Sequence, residues 1–145
     1  MRILKVVGRP AESWLVARTW LFLLVVRGSL AVTSFRRVRT FFERWNEPRR
    51  PPRGVLSREE LAWAVRTAGR YVPSSKPCLT QALVLDSYLR RRGISSRVAI
   101  GVTRARGESL EAHAWVESEG EVLLGGEDLE RYTELRSSEA DALFR

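Results

Sequence analysis

Cysteine and histidine occur once each among the 145 residues, as Cys78 and His113. A single thiol excludes an internal disulfide framework and a cysteine-rich zinc site. It also suits a reducing compartment, so a cytoplasmic location is expected, with no metal and no cofactor. A single imidazole means that any histidine-dependent chemistry runs through His113. Acidic residues are scarce at one end: residues 1–54 hold 12 Arg or Lys against 3 Glu, whereas residues 55–145 hold 13 against 14. The net charge of +8 therefore belongs to the N-terminal third. That asymmetry reads as an accessory segment for an acidic surface, a partner or a membrane face, joined to a separate functional core. Nucleic acid is not an expected partner, because the arginines at 36–53 are interleaved with bulky apolar residues and match no recognised motif.

A clean apolar span is missing too. Residues 13–35, SWLVARTWLFLLVVRGSLAVTSF, are broken by Arg18 and Arg27, each of which costs roughly 2.5–3.5 kcal/mol near the middle of a bilayer. No small-residue cleavage site follows in the form that a secretory signal needs. Phe41, Phe42 and Trp45 then stand among arginines in RRVRTFFERW. Three readings of this region stay open: a long helix or helical pair packed on the core under arginine stems, a hairpin at residues 13–45 contacting a membrane surface or partner, or a transmembrane helix.

What is present is enough for one domain: 44% hydrophobic residues can build a packed core. NEPRRPPRG, residues 46–54, carries three prolines and three arginines and reads as a linker. The expected organisation is therefore an apolar and basic helical segment at 1–46, a linker at 47–54 and a domain at 55–145. Ser57 with Glu60 makes a capping box for a helix, with Leu56 and Leu61 as its hydrophobic staple, and Pro73 stops it. Ser74 or Ser75 can cap a second helix, and Pro77 suits its first turn. Arg90, Arg91 and Arg92 favour the negative end of that helix, and Gly93 ends it. Beyond Gly93 the period changes to two. Residues 96–104 alternate as a strand, EAHAWVES follows as a second, and EVLLGG as a third, with a hairpin turn between the last two. The remaining C-terminal residues read as a loop and a short helix or coil. Two helices followed by an antiparallel sheet make the fold class α+β.

Cys78 sits at a predicted helix N-terminus, where unpaired N–H groups and the helix dipole stabilise a thiolate. By position alone it is either a small core residue or a nucleophile. His113 lies mid-strand between two alanines, sharing a face with Trp115 and Glu117. A lone histidine is commonly structural. Yet a helix-start cysteine, a strand histidine and an acid beyond the next strand make a plausible Cys-His-acid triad. With the hairpin turning at Glu119-Gly120, His113 falls opposite Gly126, and Asp128 keeps the face of Gly126, so Asp128 is the first choice for the acid. A loop one residue longer brings Glu127 opposite His113. Glu117 is about 13 Å along the same strand and is too far to orient the ring. Gly125 and Gly126 suggest a bulge or a close backbone approach.

KPCLTQALVLDSYLRRRGISSRVAIGV and EAHAWVESEGEVLLGGEDLERYTEL resemble the leader-peptidase family of lasso-peptide biosynthesis, within the transglutaminase-like cysteine protease superfamily. The matching features are Cys-Leu at the helix start, the Leu-Arg-Arg-Arg-Gly-Ile exit into a strand, His-Ala-Trp-Val-Glu, and the Gly-Gly-Glu-Asp-Leu-x-x-Tyr-x-x-Leu close. The resemblance implies a transglutaminase-like, papain-like core with its nucleophile at a helix N-terminus on a small antiparallel sheet. It implies Cys78 as nucleophile, His113 as base and a precursor peptide as substrate, cut between leader and core. Some members carry an acid soon after the hairpin, where this chain has Gly125, so the third role passes to Asp128 or Glu127. The implied partners are a separate leader-recognition protein and an ATP-dependent lasso cyclase. With no room for a β-rich recognition module before Pro48, the chain resembles the stand-alone peptidase. Two other functions compete: a different transglutaminase-like acyl transferase or peptidase, and a catalytically silent module that binds a membrane or partner.

Overall fold

The computed structural model describes residues 10–45, 56–72, 77–104 and 109–143. The linker at 47–54 and the capping serines 74 and 75 lie outside them. Helices α1 (Pro10–Val32), α2 (Phe35–Trp45), α3 (Arg58–Gly69) and α4 (Pro77–Arg91) precede strands β1 (Arg97–Arg104), β2 (Leu110–Ser118) and β3 (Glu121–Leu124). A short 3-10 helix (Leu129–Arg131), a two-residue strand β4 (Thr133–Glu134) and helix α5 (Ser137–Leu143) close the chain. The α+β architecture expected from the change of period is present. The sheet has four strands in the order β3-β2-β1-β4, all antiparallel. A strand of two residues carries too little alternation to register in sequence, so β4 is an addition made by the fold.

The local signals act as their chemistry requires. Ser57 Oγ accepts the Glu60 N–H at 3.1 Å, and Glu60 Oε2 accepts the Ser57 N–H at 2.7 Å, completing the capping box of α3. At the far end of α4, Gly93 takes φ +73. Its N–H reaches Arg90 O at 2.9 Å, and the Ile94 N–H reaches Leu89 O at 3.0 Å, which is the Schellman pattern. Glu119 and Gly120 both have positive φ, 51° and 83°, as a two-residue hairpin turn demands.

One hydrophobic cluster joins all the layers. Leu23 and Val26 of α1 and Phe35, Val38 and Phe42 of α2 share it with Leu61 and Val65 of α3, Leu85 and Leu89 of α4, and Ile100, Ala114 and Val116 of the sheet. Residues 10–45 are thus packed into the same core as the cysteine-bearing helix. A buried hydroxyl pair secures the contact: Thr19 Oγ1 donates to Leu15 O at 2.7 Å and lies 3.0 Å from Tyr88 Oη.

The β2–β3 ladder contains a bulge. Ser118 pairs with Glu121 and Glu117 with Val122, but Val116 pairs with Leu124, so Leu123 is an extra residue. Both Leu123 and Leu124 are buried as a result, and the Arg66 guanidinium donates to the Leu123 carbonyl. The bulge advances the chain by one residue against β2, which moves the end of the hairpin relative to His113.

Candidate active site

Pro77 and Cys78 open α4, which places the sulfur in the first helical turn. Pro77 has no N–H to leave unpaired there. Cys78 is half-buried and packs against the hydrophobic cluster. The N–H groups of this turn have no intrahelical partner and concentrate positive potential beside the sulfur.

His113 is half-buried on β2, directly across from Gly101 of β1. Its Nε2 lies 2.7 Å from the carbonyl oxygen of Gly125. A carbonyl only accepts, so Nε2 carries the proton in this contact, and Nδ1 is the ring nitrogen left for other chemistry. Gly125 can do this for two reasons. Its φ is +76, and a Cβ there would lie 2.7 Å from Ala114 O. Register counting without the bulge sets Gly126 opposite His113. The extra Leu123 moves that count to Glu127, but the ladder ends at Leu124, and the left-handed turn at Gly125 presents its carbonyl to the ring instead.

Tyr132 covers the histidine. The two rings are 5.0 Å apart and tilted by 32°, and the Tyr132 hydroxyl donates to Glu111 Oε1 at 3.0 Å. Loss of hydration first, then the hydrogen bond to the Glu111 carboxylate, push the phenol above its ordinary pKa. Tyr132 therefore lies against the His113 ring. Among the described residues no hydrogen bond joins Cys78 directly to His113, a separation common in thiol enzymes without substrate.

His113 also stacks with Trp115, centroids 6.3 Å apart. The Trp115 indole N–H donates to Glu117 Oε1 at 2.9 Å, and Arg97 bonds Glu117 at 2.6 Å and also Glu134. This chain ties β2, β1 and β4 together beneath the histidine. Gly101 leaves it room, because a Cβ there would meet the Trp115 ring at 2.9 Å and Tyr132 Cβ at 3.0 Å.

No hydrogen bond among the described residues joins either candidate acid to His113. Asp128 is at the N-terminus of the 3-10 helix with φ 53. Its carboxylate is 68% exposed and 4.0 Å from Arg131. Glu127 is exposed in the preceding turn. Sequence reasoning did not single out Gly125 or Tyr132 for the site. Their signals were the Gly-Gly pair after a strand and the tyrosine in the close of the quoted motif.

A thiol in the first turn of a helix and a single histidine on the antiparallel sheet, its imidazole held by a carbonyl, are groups of the kind that thiol acyl-transfer chemistry uses. The chain belongs to the transglutaminase-like superfamily, whose sequence profile matches residues 20–137. That superfamily generally includes cysteine peptidases and acyltransferases. Comparison with curated proteins and with solved structures returns no match.

Proposed function

We propose that this protein is a cysteine peptidase that cleaves the leader from a ribosomally synthesised lasso-peptide precursor. The observation that carries the chemistry is the His113 ring held by Gly125 through Nε2, which leaves Nδ1 as the base. The Sγ–H proton passes to Nδ1, and the thiolate attacks the scissile carbonyl carbon. The N–H groups at the start of α4 stabilise the resulting oxyanion. Nδ1–H then protonates the leaving amine as the C–N bond breaks, and water hydrolyses the thioester to free the leader carboxylate and the thiol. Cys78 is the nucleophile, His113 the acid–base, and the Gly125 carbonyl the group that orients it. Asp128 or Glu127 remains a candidate for a supporting charge.

Support for the leader-peptide substrate comes from the helix exit Leu-Arg-Arg-Arg-Gly-Ile, the strand His-Ala-Trp-Val-Glu and the Gly-Gly-Glu-Asp-Leu close taken together. On this reading the working partners are the precursor, a separate leader-recognition protein and the ATP-dependent cyclase that closes the ring, all in the cytoplasm. Incubation of purified protein with precursor and recognition protein, followed by mass spectrometry, tests it. Cys78→Ala is expected to abolish leader release, and His113→Ala to reduce it about 10³-fold or more. Cleavage by Cys78→Ala at the wild-type rate would sink the proposal. Amine incorporation without hydrolysis would instead assign a transglutaminase-like acyl transferase.

A further inference from the structure

Helix α1 is apolar on two opposite sides. Leu15, Thr19, Leu23 and Val26 are buried against the domain. The opposite stripe carries Trp14, Leu21, Val25 and Val32, spaced by seven, four and seven residues, and these are 63%, 59%, 57% and 88% exposed. Helical geometry puts all four on one line. Among the described residues, Ser13–Val32 is a helix long and apolar enough to cross a membrane, yet 22% of that window is buried inside the protein.

Beside the stripe, α1, α2 and α4 enclose a groove of about 610 Å³. Val25 belongs to both stripe and groove, Phe41 and Trp45 form the groove's α2 side, and Arg18, Arg37 and Arg91 line it. Phe41 and Trp45 stack at 5.7 Å and are themselves exposed. Arg18 lies over the Trp14 ring at 5.4 Å and Arg91 over Trp45 at 5.6 Å, so the cations stand at the edges of the apolar surface. Arg36 and Arg44 are exposed on the same short helix α2. Within the groove's lining Thr33 has a buried Oγ1 with no hydrogen-bond partner.

We infer that this face of α1 and α2 docks on an anionic phospholipid bilayer, with the stripe in the headgroup–acyl boundary and the arginines on lipid phosphates. Tryptophan and arginine bordering an apolar strip is the composition of a helix lying in the membrane plane. The charge has the right sign, because residues 1–54 hold 12 basic against 3 acidic side chains. A spanning orientation is disfavoured. It would strip α1 from α3 and α4, break the Thr19–Tyr88 hydroxyl contact and the Trp20–Tyr71 bond, and put Arg18 and Arg27 in hydrocarbon.

The test is flotation of the full chain with vesicles of phosphatidylcholine, with and without phosphatidylglycerol. The protein is expected to float with the anionic vesicles only and to be released by high salt. Leu21→Glu and Val25→Glu should each lower partitioning about tenfold or more. Arg37→Gln and Arg91→Gln should each lower it about fivefold, since one arginine at an anionic surface is worth about 1 kcal/mol. These side chains are at least partly solvent-exposed, and circular dichroism melts confirm that the variants remain folded. Should a variant unfold, the lipid and salt dependence of the wild type still decides. Absence of flotation, or equal flotation with neutral vesicles, overturns the inference. Retention after alkaline extraction would make α1 a span. Failure on vesicles together with stripe-dependent binding to a purified recognition protein would give the surface to a protein partner.

Discussion

The Nε2 atom of His113 lies 2.7 Å from the carbonyl oxygen of Gly125. That contact stands where a carboxylate is expected in a cysteine–histidine–acid triad. A neutral carbonyl fixes the tautomer and ring orientation as an acid would. It stabilises the imidazolium less, because it brings no full negative charge.

Gly125→Ala should therefore act on catalysis beyond its effect on folding. The left-handed backbone and the 2.7 Å approach to Ala114 O leave no place for a methyl group. A cost of about 1–3 kcal/mol in stability is expected, with about a 10²-fold loss in leader cleavage as the ring is misplaced. The pH profile of kcat/KM separates the two effects, since a misoriented base shifts the profile and simple destabilisation does not. Asp128→Asn and Glu127→Gln should each cost no more than about fivefold, the scale of an exposed pair. A 10²-fold loss in Asp128→Asn with little change in Gly125→Ala would return the orienting role to the acid.

Glu117 links the site to acid stability. The Trp115 N–H first, then the Arg97 guanidinium, hold its carboxylate below the ordinary pKa. A group depressed in the folded state contributes stability above its unfolded pKa and loses it as pH falls through the folded value. Glu117→Gln should cost about 0.5–1 kcal/mol near neutrality, discounted for its partial exposure. The gap between variant and wild type should close below about pH 4. Urea midpoints across the acid range measure this, and a gap that persists unchanged at low pH would show that the carboxylate's charge is not responsible.

The α3 cap makes a prediction remote from the site. Ser57→Ala removes the acceptor for the Glu60 N–H and should cost about 1 kcal/mol, lowering Tm by about 2–4 °C. Thiol alkylation of Cys78 should keep its rate, because the cap lies at the start of a different helix. A simultaneous loss of thiol reactivity would mean that α3 and the cysteine-bearing helix unfold as one unit.

Sequence alone determined the elements whose causes are local. Ser57 and Glu60 announced a helix start, Gly93 a helix stop and Glu119-Gly120 a hairpin turn, because capping and positive φ depend on a few neighbouring atoms. It also determined which side chains could do chemistry, since one thiol and one imidazole leave no alternatives of those types. It kept three placements open for the apolar N-terminal region, because a stripe of leucines and valines has the same period whether it meets protein or lipid. Only the tertiary structure decided that one side of α1 shares a core with α4 while the other faces outward. Only the structure placed a bulge at Leu123, ended the ladder at Leu124 and turned the chain at Gly125 so that a glycine carbonyl meets His113. Register beyond a bulge, and the partner of the His113 ring, depend on long-range packing of Leu123, Leu124 and Tyr132, which no local pattern in the chain encodes.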